Sequence, residues 1–220
     1  MAEYKADRIK SAGVALLVLA ITRVYLVIPK RDRARVQKRN KRTKPCKTCV
    51  FLGSGGHTAE MLQLMKSLNS SHYYPRTYIV ANTDILSEEK AIAYEQSTGQ
   101  QNEFRVCTIP RAREMGQPWS TVPLTALIAL VASVKVMVTA WPDLIVCNGP
   151  GSCIPICMLA YIPRVLGVKK MEIIYIESFA RVESLSVTGK LLYPFVDRFL
   201  VQWPELSNIF DKAEYRGILV

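Results

Sequence analysis

The sequence predicts an α/β fold: a Rossmann-like parallel sheet preceded by one N-terminal transmembrane helix. Three observations predict it. From Pro45 onward, short apolar runs alternate with stretches of helical period, the pattern of strands joined by crossover helices. Glycine-rich stretches follow two of the apolar runs. Near the N-terminus, a longer apolar run stands directly before a dense basic segment.

That apolar run, residues 12–28, reads AGVALLVLAITRVYLVI. As a helix it would reach about 26 Å, near the lower limit for crossing a bilayer. Arg23 lies past its middle, where a long side chain can reach the interface. The alternative is a helix lying in the interface. Nine Lys and Arg follow between Pro29 and Lys44, opposed only by Asp32, so this stretch carries +8 of the net +11 and the rest of the chain +3. A nearly neutral body argues against a nucleic-acid-binding face. The basic run after the helix outweighs Lys5, Arg8 and Lys10 before it, which places the body in the cytosol. The expected division is therefore 1–11 lumenal, 12–28 transmembrane, 29–44 basic cytosolic linker and 45–220 folded domain.

Six cysteines are present, four of them inside apolar runs. Cys46 and Cys49 have CxxC spacing without a second pair, and His57 and His72 are the only histidines. A structural zinc site needs four ligands, so no metal and no cofactor is expected, and the thiols read as buried and reduced.

Within the body, CKTCVFLGS reads as the first strand. The period from His57 to Leu68, with Met61, Leu62, Leu64, Met65 and Leu68, reads as a helix. RTYIVAN is a second strand, followed by a polar helix capped near Thr83 or Asp84. FRVCTIP is a third strand, and the loop after it carries Arg111, Arg113, Glu114 and Trp119. The apolar run 122–140, broken by Lys135, reads as a buried crossover helix or as a helix with one face against the bilayer. PDLIVCN is a fourth strand, and a helix with Pro155 in its first turn follows. MEIIYIES is a fifth strand and DRFLVQ a sixth.

Open parallel sheets bind ligands beyond the carboxyl ends of their strands. There the first strand releases Gly53, Ser54, Gly55, Gly56 and His57, the fourth Asn148, Gly149, Pro150, Gly151 and Ser152, and the fifth Glu177, Ser178 and Arg181. A glycine loop ahead of a helix offers backbone N–H groups and a positive dipole end to a phosphate or diphosphate. Neither a P-loop lysine nor the third glycine of a dinucleotide fingerprint follows, since Thr58 stands in that place. His57 is a candidate general base, phosphate donor or cap residue. Glu177 is a candidate proton acceptor or a salt-bridge partner of Arg181.

GSGGHTAEM, CNGPGSCIP and YIESFARVESLSVTGKLLYPFVDRFLVQWPEL together resemble the membrane-anchoring subunit of the eukaryotic UDP-N-acetylglucosamine transferase. That enzyme adds the second N-acetylglucosamine to dolichyl-diphosphate-N-acetylglucosamine. The resemblance runs from about Val50 to the C-terminus, with ESFARVESLS its most specific block. The glycine loops also resemble those of the bacterial transferase that makes the peptidoglycan lipid precursor, with Ser54 where that family usually has glycine.

The resemblance implies the N-terminal, acceptor-side half of a GT-B glycosyltransferase. A soluble catalytic subunit would supply the half that binds UDP-N-acetylglucosamine. The protein would work at the cytosolic face of the endoplasmic reticulum membrane. Gly53, Ser54, Gly55, Gly56 and His57, with Asn148, Gly149, Gly151 and Ser152, would hold the acceptor diphosphate. Glu177, Ser178 and Arg181 would face the partner. Transfer is inverting in that family, so a base is required, with His57 the first candidate and Glu177 the second. Two alternatives remain open from sequence: a membrane scaffold that touches no substrate, and a self-sufficient lipid-linked glycosyltransferase.

Overall fold

The computed structural model describes residues 2–29, 44–99, 103–114 and 116–219. All of the basic linker except Pro29 and Lys44 lies outside the described residues. Seven strands form one sheet: β1 (Thr48–Phe51), β2 (Arg76–Ala81), β3 (Phe104–Ile109), β4 (Leu144–Asn148), β5 (Glu172–Ile176), β6 (Arg198–Val201) and β7 (Ala213–Tyr215). Their spatial order is β3-β2-β1-β4-β5-β6-β7, and every pairing is parallel. The order reverses at β1 and β4, which pair as Thr48 with Leu144 and Val50 with Val146.

Alternation along β1 sends successive side chains to opposite faces. Cys49 and Phe51 enter a core with Ile145, Ile173, Tyr175 and Phe199. Val50 and Leu52 enter the opposite core with Tyr78 and Val80. Helices α2 (Gly56–Ser67) and α3 (Ile85–Ser97) cover the second face through Met61, Met65 and Ala91. Helices α4 (Val122–Ala140), α5 (Ile154–Val165), α6 (Val187–Leu192) and α7 (Pro204–Ile209) cover the first through Val136, Ile156, Leu192 and Leu206. Burial on both faces explains why the central strands are apolar runs rather than alternating ones.

Capping follows the residues. Asp84 caps α3 by accepting from the Ser87 backbone N–H, and Pro155 stands in the first turn of α5. The strand count exceeds the sequence reading by one. β7 is three residues, AEY, too short and polar to register as an apolar run. Arg198 at the start of β6 holds it by donating to both oxygens of Glu214.

The run 122–140 is a crossover helix, but only one of its faces is buried. Ala129, Ser133, Val136 and Met137 pack inward. Leu124, Leu127, Ile128, Val131 and Val138 are exposed. Among the described residues, the helix from Trp119 to Ala140 is the one long and apolar enough to cross a membrane by length and composition, while Gly13–Val27 and Gly151–Val165 are apolar and shorter. Each end of the long helix carries a tryptophan beside a cation. The Arg113 guanidinium lies 4.0 Å from the Trp119 ring, and Lys169 Nζ lies 5.7 Å from the Trp141 ring. Helix α1 (Ala2–Val27) contains all but the last residue of the run expected to span the membrane. Its Val14, Leu17, Leu19, Ile21 and Leu26 are exposed, and Arg23 Nε donates to the Val165 carbonyl at the end of α5.

Candidate active site

The loops after β1, β4 and β5 converge at the carboxyl edge of the sheet, beside the β1–β4 reversal where open α/β sheets bind ligands. Their meeting is direct. The Cγ–Nδ1–Cε1 edge of the His57 ring lies against the Cα of Gly149, in the space that a Cβ there would take. Gly149 also holds φ +62°. Only glycine meets both demands, the left-handed backbone and the close approach. Asn148, fully buried, donates from Nδ2 to the His57 carbonyl at 2.9 Å. The second glycine loop thereby fixes the first.

Thr58 takes the place of the third fingerprint glycine for a structural reason. Its hydroxyl donates to the Gly53 carbonyl and lies 2.6 Å from Ser87 Oγ, which in turn donates to Asp84. The start of α2 is thus tied to the cap of α3. Ser54, Gly55 and Gly56 remain exposed above this chain of bonds, at the open N-terminus of a twelve-residue helix whose cap, Gly55, offers no side chain. Backbone N–H groups and the positive helix end face solvent there.

Glu60 was not singled out from sequence, yet it lies at the centre of the site. It follows His57 by one helical turn, so both project from the same face of α2. Its Oε2 is 3.6 Å from His57 Nδ1 and 3.5 Å from Asn148 Nδ2. Its Oε1 accepts from Ser178 Oγ at 3.1 Å. One carboxylate therefore touches all three converging loops. His57 Nδ1 and Asn148 Oδ1 are buried without a hydrogen-bond partner among the described residues. With the Nδ1 edge turned to Gly149 and Glu60, Nε2 is the imidazole nitrogen on the open side of a ring that is one-third exposed.

Glu177 stands elsewhere than the cleft surface. It is fully buried. Oε2 accepts from the Ser186 backbone N–H at 3.0 Å and the Ser186 hydroxyl at 3.1 Å, and Oε1 accepts from the Ser178 N–H at 3.1 Å. It therefore braces both ends of the β5–α6 loop, and it does not pair with Arg181, which stands exposed on the loop. Burial, with the Glu177 carboxylate adding to it, pushes the Tyr175 phenol well above its ordinary range. Tyr175 stays neutral and shares a hydrogen bond with Ser186 Oγ at 3.1 Å. Above this brace the loop exposes Phe179, whose ring lies 5.0 Å from Trp203 and whose carbonyl accepts from Trp203 Nε1.

Ser152 joins the β4 loop to the β3–α4 loop by accepting from the Ala112 N–H at 3.2 Å. Arg111 reaches over the first glycine loop, with Nε donating to Thr83 Oγ1 at 2.8 Å and Nη1 to Ser54 Oγ at 3.5 Å. Among the described residues, no three His, Cys, Asp or Glu side chains are grouped to hold a metal ion. Cys49 lies inside the sheet, where burial, with Cys107 adding to it, pushes its thiol up.

Comparison with known proteins bears on the family and the fold. A family profile described as "Oligosaccharide biosynthesis protein Alg14 like" matches residues 48–219. A Schizosaccharomyces pombe protein named UDP-N-acetylglucosamine transferase subunit alg14 is 43% identical over 210 residues, covering 93% of this chain and 96% of that relative. The Homo sapiens protein named UDP-N-acetylglucosamine transferase subunit ALG14 is 38% identical over 216 residues, covering 96% of each. Among solved structures, Acinetobacter baumannii MurG superposes with a TM-score of 0.53 at 17% identity. The match covers 77% of this chain and 44% of MurG, so the shared fold is under half of that protein. The expected Rossmann-like, GT-B half-domain fold is borne out.

Proposed function

The chain belongs to the Alg14-like family of oligosaccharide biosynthesis proteins, and from that membership we propose that it is the membrane-anchoring, acceptor-side subunit of a UDP-N-acetylglucosamine transferase. In this reading it binds dolichyl-diphosphate-N-acetylglucosamine at the cytosolic face of the endoplasmic reticulum. A separate soluble subunit binds UDP-N-acetylglucosamine and completes the active site. The observation that carries the reading is the meeting of two glycine loops and His57 across the β1–β4 reversal. That edge has the backbone donors a diphosphate needs and one imidazole for proton transfer.

The chemistry follows from the placement. The acceptor hydroxyl attacks the anomeric carbon of the donor sugar. The bond from that carbon to the UDP oxygen breaks, and UDP leaves with the electron pair. The hydroxyl proton passes to His57 Nε2. Glu60, beside Nδ1, stabilises the imidazolium that forms, while Asn148 holds the backbone of His57 in place. Glu177 is a positioning residue: it shapes the loop of Ser178 and Arg181 that faces the partner.

Helix α1 serves as the anchor over residues 12–28, and the basic linker holds it to the anionic leaflet. The outer face of α4 lies along the same membrane. Tryptophans at both of its ends suit the bilayer interface, and its apolar exposed residues have no cover among the described residues.

The test is transfer by the purified chain with and without its candidate soluble partner. N-acetylglucosamine should reach a lipid-diphosphate acceptor only when both are present. Activity of this chain alone would favour a self-sufficient enzyme. Full activity after His57→Ala and Gly56→Val, with the complex intact, would favour a scaffold.

A further inference from the structure

A diphosphate diester carries an ionised oxygen on each phosphate, and a helix N-terminus offsets only about half an elementary charge. The two glycine loops, residues 53–57 and 148–152, contain neither Lys nor Arg. The compensating charge must come from another element. Arg111, on the β3–α4 loop, is a cation placed to supply it. Its side chain is about a quarter exposed, and it is drawn over the first glycine loop by its bonds to Thr83 and Ser54. These use two of its five N–H donors. The opposing carboxylate, Glu114, is 3.9 Å away and more than half exposed, so its hold on the guanidinium is weak.

The loop that carries Arg111 runs directly into the exposed apolar helix. Eight residues on stands Trp119, and α4 then presents Leu124, Leu127 and Ile128 to the outside. A cation facing a glycine loop at one end and an apolar helix face leading away from it match an amphiphile with a diphosphate head. We infer that Arg111 is a binding residue for the diphosphate of the lipid-linked acceptor, completing with its charge a site that the glycine loops form with backbone N–H groups. The inference rests on the acceptor-side reading above. A guanidinium suits the role because it can meet two phosphate oxygens at once.

A second diphosphate is present in such a reaction, that of the nucleotide sugar, so the test separates the two. The full chain, assembled with its soluble partner, is assayed with an isoprenoid-diphosphate-N-acetylglucosamine acceptor and UDP-N-acetylglucosamine, each varied in turn. R111Q should raise the acceptor KM roughly 10–100-fold, the range for a lost hydrogen-bonded charge, and leave the donor KM near its original value. R111K should fall between R111Q and the unaltered protein. R105Q makes the same charge change at the amino-terminal edge of β3 and should leave both KM values unchanged. A rise in donor KM, or an unchanged acceptor KM in R111Q, overturns the inference. If R111Q does not assemble with the partner, R111K decides: an acceptor KM equal to the original overturns the inference. A complex of unaltered chains that transfers no sugar at all would instead defeat the acceptor-side reading.

Discussion

The carboxylate of Glu177 occupies the space into which a Cβ on Gly189 would project. Gly189 donates its own N–H to Ser186 Oγ, and Ser186 donates to Glu177. The N-terminus of α6 is therefore built around a buried carboxylate. Gly189→Ala should displace that group from its partners and cost about 1–3 kcal/mol, a fall of several degrees in Tm for a chain of this size. Glu177→Gln should lower Tm too, because an amide cannot accept at both positions as a carboxylate does. If Glu177 were the base, Glu177→Gln would instead lower turnover by roughly 10²–10⁴-fold at unchanged Tm.

His57→Ala should lower turnover of the assembled transferase by roughly 10²–10⁴-fold with acceptor KM little changed. Glu60→Gln should lower turnover less, because the imidazolium that forms in the transfer step loses its neighbouring negative charge. Gly56→Val is the complementary probe. Beyond its chain neighbours and its own helix backbone, a Cβ at Gly56 meets no atom of the described residues within 4 Å, so folding should survive while acceptor use falls. If Gly56→Val leaves acceptor kinetics unchanged, no ligand approaches that backbone.

Removing residues 1–44 should leave a folded body, since every strand of the sheet and both of its cores lie after Pro45, and Arg23 of α1 meets the body at the Val165 carbonyl at the end of α5. That body should still sediment with lipid vesicles through the outer face of α4. Leu127→Asp combined with Val131→Asp should release it without altering Tm, as both side chains are more than half exposed. Vesicle binding that persists in the double variant would move the contact elsewhere.

Glu214 gives a pH-dependent edge to the sheet. Burial alone would raise its carboxyl, but the hydrogen bonds from Arg198, with Arg216 adding to them, more than offset this and hold it below the ordinary carboxylate range. A group whose folded pKa is depressed contributes stability above its unfolded pKa, about 4.3 for Glu, and loses it as pH falls through the folded value. Acidification through and below that range should therefore loosen β7 first. Hydrogen exchange at Ala213–Tyr215 should rise there ahead of exchange at β1, and Glu214→Gln should abolish the difference in pH response.

The strands and helices of the central sheet were legible because their cause is local: burial on both faces makes each strand an apolar run, and α2 and α5 carry a clear period. β7 escaped because an edge strand of three residues buries only the small side chain of Ala213 and is tied to β6 by its ladder and by the Arg198–Glu214 pair, none of which shows as an apolar run. The site was half legible. Glycine, histidine and asparagine after apolar runs marked the loops, whereas Glu60 sits in a helix whose pattern announces only packing. It would have been found by asking which polar residue lies one turn beyond His57. Glu177 misled for the opposite reason: a carboxylate at a strand end looks exposed until the loop above it is seen to fold back through Ser186.

The strand order also sets a timetable for synthesis. β1 is flanked by β2 from the earlier part of the chain and by β4 from the later part. Until Leu144–Asn148 has left the ribosome, β1 presents an unpaired apolar edge to solvent. Parallel pairing across that distance is slow because its loop entropy is lost before contacts repay it. A nascent chain stalled before residue 144 should therefore be the species that chaperones hold. Because the two glycine loops flank this same seam, binding competence should appear in one step as β4 docks, with no partial site before it.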